Sequence, residues 1–341
     1  MKIPEQIVRS FGLSPALNTF RIGSGHINYT FKIEGEPSFI LQRINKNVFK
    51  EPEVIAQNIR RAAGYLRDHH PHFIFMASLP TVHGKEMAYD NEGYPWRLYP
   101  LIDHSFTVNE LETDEQAFEA AKAFGRLCRN LDGCDVGLFK PVIADFQDLS
   151  WRYRQFEDAL KQATRERQTE AETCIQSAKH FGFLVKKYDD LIQSGGLKLR
   201  IVHNDTKINN ILFDSITCQT ICAIDLDTLM PGYFIYDLGD MVRTFVSPVS
   251  EEENDISKII FRKNIYDALT QGYLSQMNEV MSAVEKQAIP FSGLMMTYIM
   301  ALRFLADYLN GDIYYHTAYP GQNLVRAKNQ FRLLQVLSEN V

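Results

Sequence analysis

The chain has 341 residues, 45% hydrophobic and 23% charged, with a formal net charge of −6. That length supports a sizeable core in one large or two smaller lobes, and the acidic balance, with Arg60-Arg61 on a predicted helix face, excludes a nucleic-acid footprint. The five cysteines (Cys128, Cys134, Cys174, Cys218, Cys222) lack zinc spacing and Met1 is followed by no apolar signal region, so reduced thiols and a cytoplasmic location are expected.

In chain order, residues 19–22 and 29–33 read as strands around a glycine-containing turn, and 38–44 as a third strand after the turn Glu34-Gly35-Glu36-Pro37. Pro52 opens a helix with Ile55, Ile59, Ala62 and Leu66 on one face; His69, His70 and His72 near its end are expected to be solvated. Asp90-Asn91-Glu92-Gly93 turns the chain between strands at 85–89 and 96–99. Thr113 and Gln116 then form a capping box before the apolar stripe Phe118, Ala121, Phe124, Cys128 and Leu131. Further helices are expected near 151–160, 171–192, 255–273, 291–309 and 324–337. Segment 291–309 is the most apolar, but Arg303 and Asp307 interrupt it, which fits a buried helix rather than a membrane span. The expectation is a two-lobed α+β architecture, β-rich over residues 1–100 and helical over 101–341.

The densest chemistry lies in His203-Asn204-Asp205-Thr206-Lys207-Ile208-Asn209-Asn210. Residues 197–202 run in as a short alternating strand, 211–213 leave, and 220–224 return to deliver Asp225, as in a hairpin. An Asp and an Asn five positions apart on one tight loop can share a direction that a straight element would not ensure. In phosphoryl transfer such an Asp accepts the proton of a substrate hydroxyl, while Asn210 and Asp225 would hold magnesium on the ATP phosphates. The loop resembles the protein-kinase catalytic loop H-R-D-L-K-x-x-N at His203, Asp205, Lys207 and Asn210, with Asp225 at the D-F-G aspartate.

On the nucleotide side, Gly23-Ser24-Gly25-His26 is the candidate phosphate-covering loop, since glycines let backbone N–H groups approach phosphate oxygens. A plain hairpin turn uses the same residues; the downstream loop favours the phosphate reading, while His26 and Asn28 fit a ligand or a turn role equally. Protein kinases carry V-A-I-K on the third strand. Here Phe39-Ile40-Leu41-Gln42 matches it, so Ile40 and Gln42 face the nucleotide and Gln42 brings no charge. Arg43 cannot replace the lysine, because strand neighbours point to opposite faces. This departure keeps a catalytically silent nucleotide-binding module in play.

Only eleven residues separate Asp225 from Asp237, too few for the segment with which protein kinases hold a peptide, so a small-molecule acceptor is expected. Tyr236-Asp237-Leu238 resembles the Y-D-L motif of aminoglycoside and choline kinases, in which the Asp braces the catalytic loop. Asp227 fits a metal-assisting role or simply a turn start. Gly25 to Asn28, 203–212, 224–232, Trp96-Arg97-Leu98-Tyr99, 303–309 and 311–314 together resemble N-acetylhexosamine 1-kinase over nearly the whole chain, and that family similarly has Gln at the Gln42 position. The resemblance implies ATP- and Mg2+-dependent phosphorylation of the anomeric hydroxyl of N-acetylglucosamine or N-acetylgalactosamine. Asp205 would be the base, with Arg303 and Tyr314 contacting the sugar. It divides the chain into a nucleotide-binding lobe (1–100) and a catalytic, sugar-binding lobe (101–341). Aminoglycosides are polycations, for which an arginine is counterproductive, yet a kinase of these or of other small-molecule hydroxyls is the alternative. Apart from the resemblance, Arg303 reads as a buried ion pair with Asp307 one turn later.

Overall fold

A computed structural model describes residues 3–22 and 28–341. In order, the elements are α1 (Glu5–Ser10), β1 (Thr19–Ile22), β2 (Tyr29–Ile33), β3 (Phe39–Arg43), α2 (Pro52–His69), β4 (Ala88–Tyr89), β5 (Pro95–Pro100) and β6 (Ser105–Phe106). They continue with α3 (Asp114–Asn130), α4 (Leu149–Gln162), α5 (Arg165–Glu170), α6 (Glu172–His180), α7 (Phe183–Gln193), β7 (Arg200–Val202), β8 (Ile211–Asp214), β9 (Thr220–Ala223) and β10 (Met230–Gly232). The helices α8 (Phe234–Phe245), α9 (Lys263–Met277), α10 (Ala283–Gln287), α11 (Ile289–Leu309) and α12 (Gln322–Ser338) complete the chain. Two compact units result. The first comprises Met1–Phe106, Gly133–Ile143 and Leu212–Met230, the second Thr107–Asp132, Ala144–Ile211 and Pro231–Val341.

In the first unit a five-stranded sheet runs β1-β2-β3-β5-β4. Alternation divides its residues by face. Phe31, Leu41 and Leu98 stand in one cross-strand row and pack with Trp96 against Ile7, Val8 and Phe11 of the N-terminal segment. The opposite face carries the polar row Thr30, Gln42 and Arg97, beside Lys32, Ile40 and Tyr99. Arg43 stays on the apolar side, stacked over Tyr29 at 4.7 Å and Tyr94 at 4.1 Å. The later segments are tied in by Asn58 of α2, which is fully buried: its Nδ2 donates to Lys140 O at 2.8 Å and Leu229 O at 3.0 Å, and its Oδ1 accepts from Lys140 N at 3.2 Å. The strand foreseen at 85–89 shortens to β4.

The second unit is helical. Thr113 and Gln116 form the capping box of α3. Helices α3 and α9 approach backbone to backbone through reciprocal glycines: Gly125 faces Tyr273 O and Gly272 faces Phe118 O. Helix α11 is long and apolar enough to cross a membrane by length and composition alone, but 78% of its most apolar stretch is buried within the protein. It packs against α4, α8 and α12 as the spine of this unit.

Three local expectations change. The helix foreseen over 171–192 breaks at Phe181-Gly182 into α6 and α7, with Gly182 N donating to Lys179 O. The helix foreseen from Asp255 begins at Lys263, after a single 3-10 turn at Ile256–Lys258. Finally, β7 pairs with β10 rather than with β8, which pairs instead with β6 and β9, so the loop 203–210 is not the end of a simple hairpin.

A Cβ at Gly272 overlaps the Phe118 carbonyl, whereas one at Gly64, in α2, meets nothing within 4 Å. Gly272→Ala is therefore expected to lower stability by about 1–3 kcal/mol through overpacking, and Gly64→Ala to raise it by about 0.5–1 kcal/mol through helix propensity. Melting curves of the two variants should shift in opposite directions; a shift of the same sign contradicts this packing.

Candidate active site

Within the second unit, β7 leads into the loop 203–210. The strand begins at Arg200, a buried guanidinium whose Nε donates to Asp132 Oδ1 at 2.7 Å and whose Nη2 donates to Val280 O at 2.9 Å, with Glu285 as a further partner. The chain then turns at Asn204, whose φ of 66° lies in the left-handed region that Asn tolerates better than most residues. Helix α8 holds the loop from below. Asp237 accepts from His203 N at 3.0 Å and Asn204 N at 2.7 Å, and Asp240 accepts from Thr206 N at 3.0 Å. Thr206 Oγ1 returns a bond to Asp237 O at 2.7 Å. Asp240 is in turn gripped by Arg243 Nε at 3.0 Å and Nη2 at 2.9 Å, and Arg243 Nη1 reaches Glu251 at 2.7 Å.

This frame fixes the loop side chains. The His203 ring is buried edge-on against Phe124, centroids 5.1 Å apart, and its Nδ1 accepts from Asp205 N at 3.3 Å. Asp205 is half-buried, with Lys207 Nζ 2.9 Å from Oδ1 and Asn210 Nδ2 donating to its Oδ2 at 3.1 Å and its carbonyl at 2.8 Å. Burial pushes the Asp205 carboxyl up, but the charge and hydrogen bond of Lys207, then His203 and Asn210, hold it below the ordinary range. Asp205 in turn raises Lys207, against the opposing effect of burial. The result is an ionised carboxylate whose direction is fixed by two neighbours, competent to accept a proton from a hydroxyl. Asn210 commits its amide nitrogen to Asp205, so its Oδ1 remains an acceptor.

Arg303 and Tyr314 also belong to this unit. The guanidinium of Arg303, on α11, lies over the Phe146 ring at 5.2 Å and the Tyr315 ring at 5.5 Å, with Nη1 3.4 Å from Met300 Sδ. It does not pair with Asp307. That carboxylate accepts instead from Ile313 N at 3.0 Å, Tyr314 N at 2.8 Å, Tyr315 N at 2.9 Å and Asn323 Nδ2 at 2.9 Å, holding the loop that presents an exposed Tyr314. Sequence reasoning missed Arg152. Its Nε and Nη2 both donate to Phe146 O, at 3.2 and 2.8 Å, so it stands behind the ring that Arg303 covers. Burial and the neighbouring Arg303 push it down to about 10. No carboxylate among the described residues pairs with either arginine.

The remaining candidates lie in the first unit. Two residues past the end of β9 lies Asp225, whose φ of 56° and ψ of 57° are left-handed, a conformation that costs a non-glycine residue roughly 1–2 kcal/mol and is characteristic of functional turns. Two residues on, Asp227 is buried: Oδ1 pairs with Arg97 Nη1 at 2.5 Å and Oδ2 accepts from Asn28 Nδ2 at 2.8 Å. Both oxygens therefore have protein partners, and the turn-holding role fits Asp227 better than the metal-assisting one. Burial raises the Tyr99 phenol, which Arg97 opposes and the charges of Asp227 and Asp225 reinforce. Ile40 and Gln42 share the polar face of the sheet; Gly23, Ser24, Gly25 and His26 lie outside the described residues.

The profile of the APH phosphotransferase enzyme family matches residues 20–274. The chain belongs to this family. Solved structures of similar fold include an amicoumacin kinase in complex with AMP-PNP, Ca2+ and Ami, at 15% identity and a TM-score of 0.62, covering 98% of this chain and 92% of that one. An aminoglycoside phosphotransferase from Alicyclobacillus acidocaldarius is 15% identical with a TM-score of 0.65, covering 99% and 96%. A choline/ethanolamine kinase family protein from Mesorhizobium loti is 16% identical with a TM-score of 0.58, covering 95% and 89%. At such identities the likeness establishes the fold: a β-sheet N-terminal region and a helical C-terminal region, as in protein-kinase-like phosphotransferases.

One pH effect follows from the loop frame. Burial pushes Asp237 up from 3.8 to about 6, against the lowering effects of His203 and of the His203 and Asn204 N–H groups, with Asp240 adding to the rise. Since the folded value exceeds the unfolded one, this group favours the fold most at low pH and loses that contribution as pH rises through about 6. A neutral carboxyl is a weaker acceptor for the loop N–H groups. Phosphotransfer by this enzyme is therefore expected to fall on acidification through about pH 6 while the melting temperature holds. A rate that stays flat down to pH 5 contradicts the coupling.

Proposed function

We propose that this phosphotransferase carries the γ-phosphoryl group of ATP to the anomeric hydroxyl of an N-acetylhexosamine. The observation that carries the acceptor is Arg303: a guanidinium flanked by the rings of Phe146 and Tyr315, with no carboxylate partner among the described residues, and with the exposed Tyr314 against that Tyr315 ring. Such a fork suits the hydroxyl and amide oxygens of a neutral sugar, with aromatic surface for its apolar face. A polycationic aminoglycoside would instead meet Arg303 and Arg152, a like-charge encounter. The motif resemblance to N-acetylhexosamine 1-kinase supports the same acceptor, and the fold shared with a kinase solved with AMP-PNP and Ca2+ supports a nucleoside triphosphate as donor.

In this reading Asp205 accepts the proton of the anomeric hydroxyl as it attacks the γ-phosphorus. Lys207 and Asn210 fix the carboxylate, and His203 and Asp237 fix the loop beneath it. Gln42, Ile40 and the Gly23-Ser24-Gly25-His26 segment serve the nucleotide, and Arg303 and Tyr314 the sugar. The open Oδ1 of Asn210 and the carboxylate of Asp225 are hard oxygen donors of the kind Mg2+ takes. When bound, that ion neutralises charge on the β- and γ-phosphates.

ATP consumption with a panel of N-acetylhexosamines, hexoses, choline and kanamycin tests the acceptor. Turnover is expected with the amido sugars; turnover with kanamycin or choline alone overturns the reading in favour of another small-molecule hydroxyl, and nucleotide binding without any turnover favours a silent module. Asp205→Asn should reduce kcat by on the order of 10²–10⁴-fold with ATP binding close to normal, because the amide cannot take the proton. Arg303→Lys keeps the charge but loses the planar fork. It should raise the sugar KM strongly and leave the melting temperature and ATP KM nearly unchanged; a lower melting temperature with an unchanged sugar KM removes Arg303 from the site.

A further inference from the structure

Gln42 stands where protein kinases carry a cationic lysine, and the sheet register explains how a neutral residue serves there. Directly across from Gln42, on β5, is Arg97. Its Nε and Nη2 converge on Gln42 Oε1 at 2.9 and 2.5 Å, and its Nη1 pairs with Asp227 Oδ1 at 2.5 Å. The side chains of Arg97 and Asp227 are each only 4% exposed, so the guanidinium is not itself free to leave for a ligand. It acts through what it holds.

Two converging donors determine which end of the amide is which. A flipped Gln42 would turn its NH2 toward the guanidinium, donor against donor. Nε2 must therefore point away from Arg97. It donates to Thr30 Oγ1 at 3.2 Å, on the opposite neighbouring strand, and its second N–H has no partner among the described residues. A cation on the carbonyl end draws electron density from the amide and strengthens the N–H at the other end. The same guanidinium holds Asp227, whose second oxygen takes Asn28 Nδ2, and Asn28 Oδ1 accepts from Asn45 N at 3.0 Å. The strand residue, the turn that carries Asp225 and the residue following the glycine segment are thus joined through one buried charge.

We propose that Arg97 is a positioning residue that orients and polarises the Gln42 amide as a hydrogen-bond donor to the nucleotide's phosphates, so that the charge of the kinase lysine is supplied one strand away. This rests on the reading that ATP is the phosphoryl donor and is independent of which acceptor is used. A bare stabilising pair would not require the arginine to fork onto a neutral amide, and buried ion pairs alone add little stability over apolar replacements.

The test compares ATP with adenosine, each titrated calorimetrically into the full chain with Mg2+ present. Gln42→Ala should weaken ATP by about tenfold, the loss of one charge-assisted hydrogen bond, and leave adenosine unchanged, with a lower melting temperature because Arg97 loses its acceptor. Arg97→Gln combined with Asp227→Asn leaves no unpaired buried charge and should show the same selective loss. Adding Gln42→Ala to that pair should cost no more than about a further twofold, since both act through one donor. Losses that multiply, or that strike adenosine equally, overturn the proposal and reduce Arg97 to a scaffold. If the paired variant does not fold, Arg97→Lys serves: it keeps the charge without the fork, and ATP binding equal to the wild type overturns the proposal. Wild-type protein that binds ATP no more tightly than adenosine overturns the donor assignment as well, whereas failure of the sugar acceptor alone leaves this outcome unaffected.

Discussion

Backbone N–H groups at the start of a sharp loop have no strand or helix partner, and burying them unpaired is costly. In the second unit the carboxylates of Asp237 and Asp240 meet that requirement for three N–H groups of the loop, at His203, Asn204 and Thr206. Their helix, α8, sits deep enough against α11 that a Cβ at Gly239 overlaps the Ser292 carbonyl. The loop is therefore referenced to the closely packed α8–α11 core of the unit. Asp205 owes its fixed direction to this frame as much as to Lys207 and Asn210. The cost is two carboxylates in a dry interior, offset for Asp240 by Arg243 and visible for Asp237 in its raised affinity for a proton.

The first unit solves a different problem with strand alternation. One face of the sheet buries Phe31, Leu41, Trp96 and Leu98, and the other gathers Thr30, Gln42 and Arg97 into a single cross-strand row. Alternation makes the two functions separable: apolar residues hold the sheet, and the intervening residues are left for polar chemistry. Arg97 then joins that row to the turn at Asp225-Leu226-Asp227.

Features set by local chemistry were legible in the sequence. The loop 203–210 stands out because phosphoryl-transfer chemistry would need given residue types at given spacings, and α3, with its Thr113–Gln116 box, because capping and periodicity are both local. The buried character of α11 followed from its length and from the charges within it. What depended on distant partners was not legible. The spacing of Arg303 and Asp307 suggests an ion pair, yet three backbone N–H groups from residues 313–315 and Asn323, brought together by the fold, take the carboxylate. The pairing of β7 with β10 and the convergence of Arg152 on Phe146 likewise arise only in the folded chain. No local signal singles out Arg97 within its strand, because its place opposite Gln42 is decided by sheet register.

The proposed reaction directs a phosphoryl group to one hydroxyl of one class of neutral sugar. The most direct measurement is phosphorus and proton NMR of the product formed from ATP and N-acetylglucosamine or N-acetylgalactosamine. A phosphate coupled to the anomeric proton, formed with equimolar ADP, is the expected product. Phosphate on any other hydroxyl, or no phosphorylated sugar while ATP is consumed with another acceptor, would contradict it.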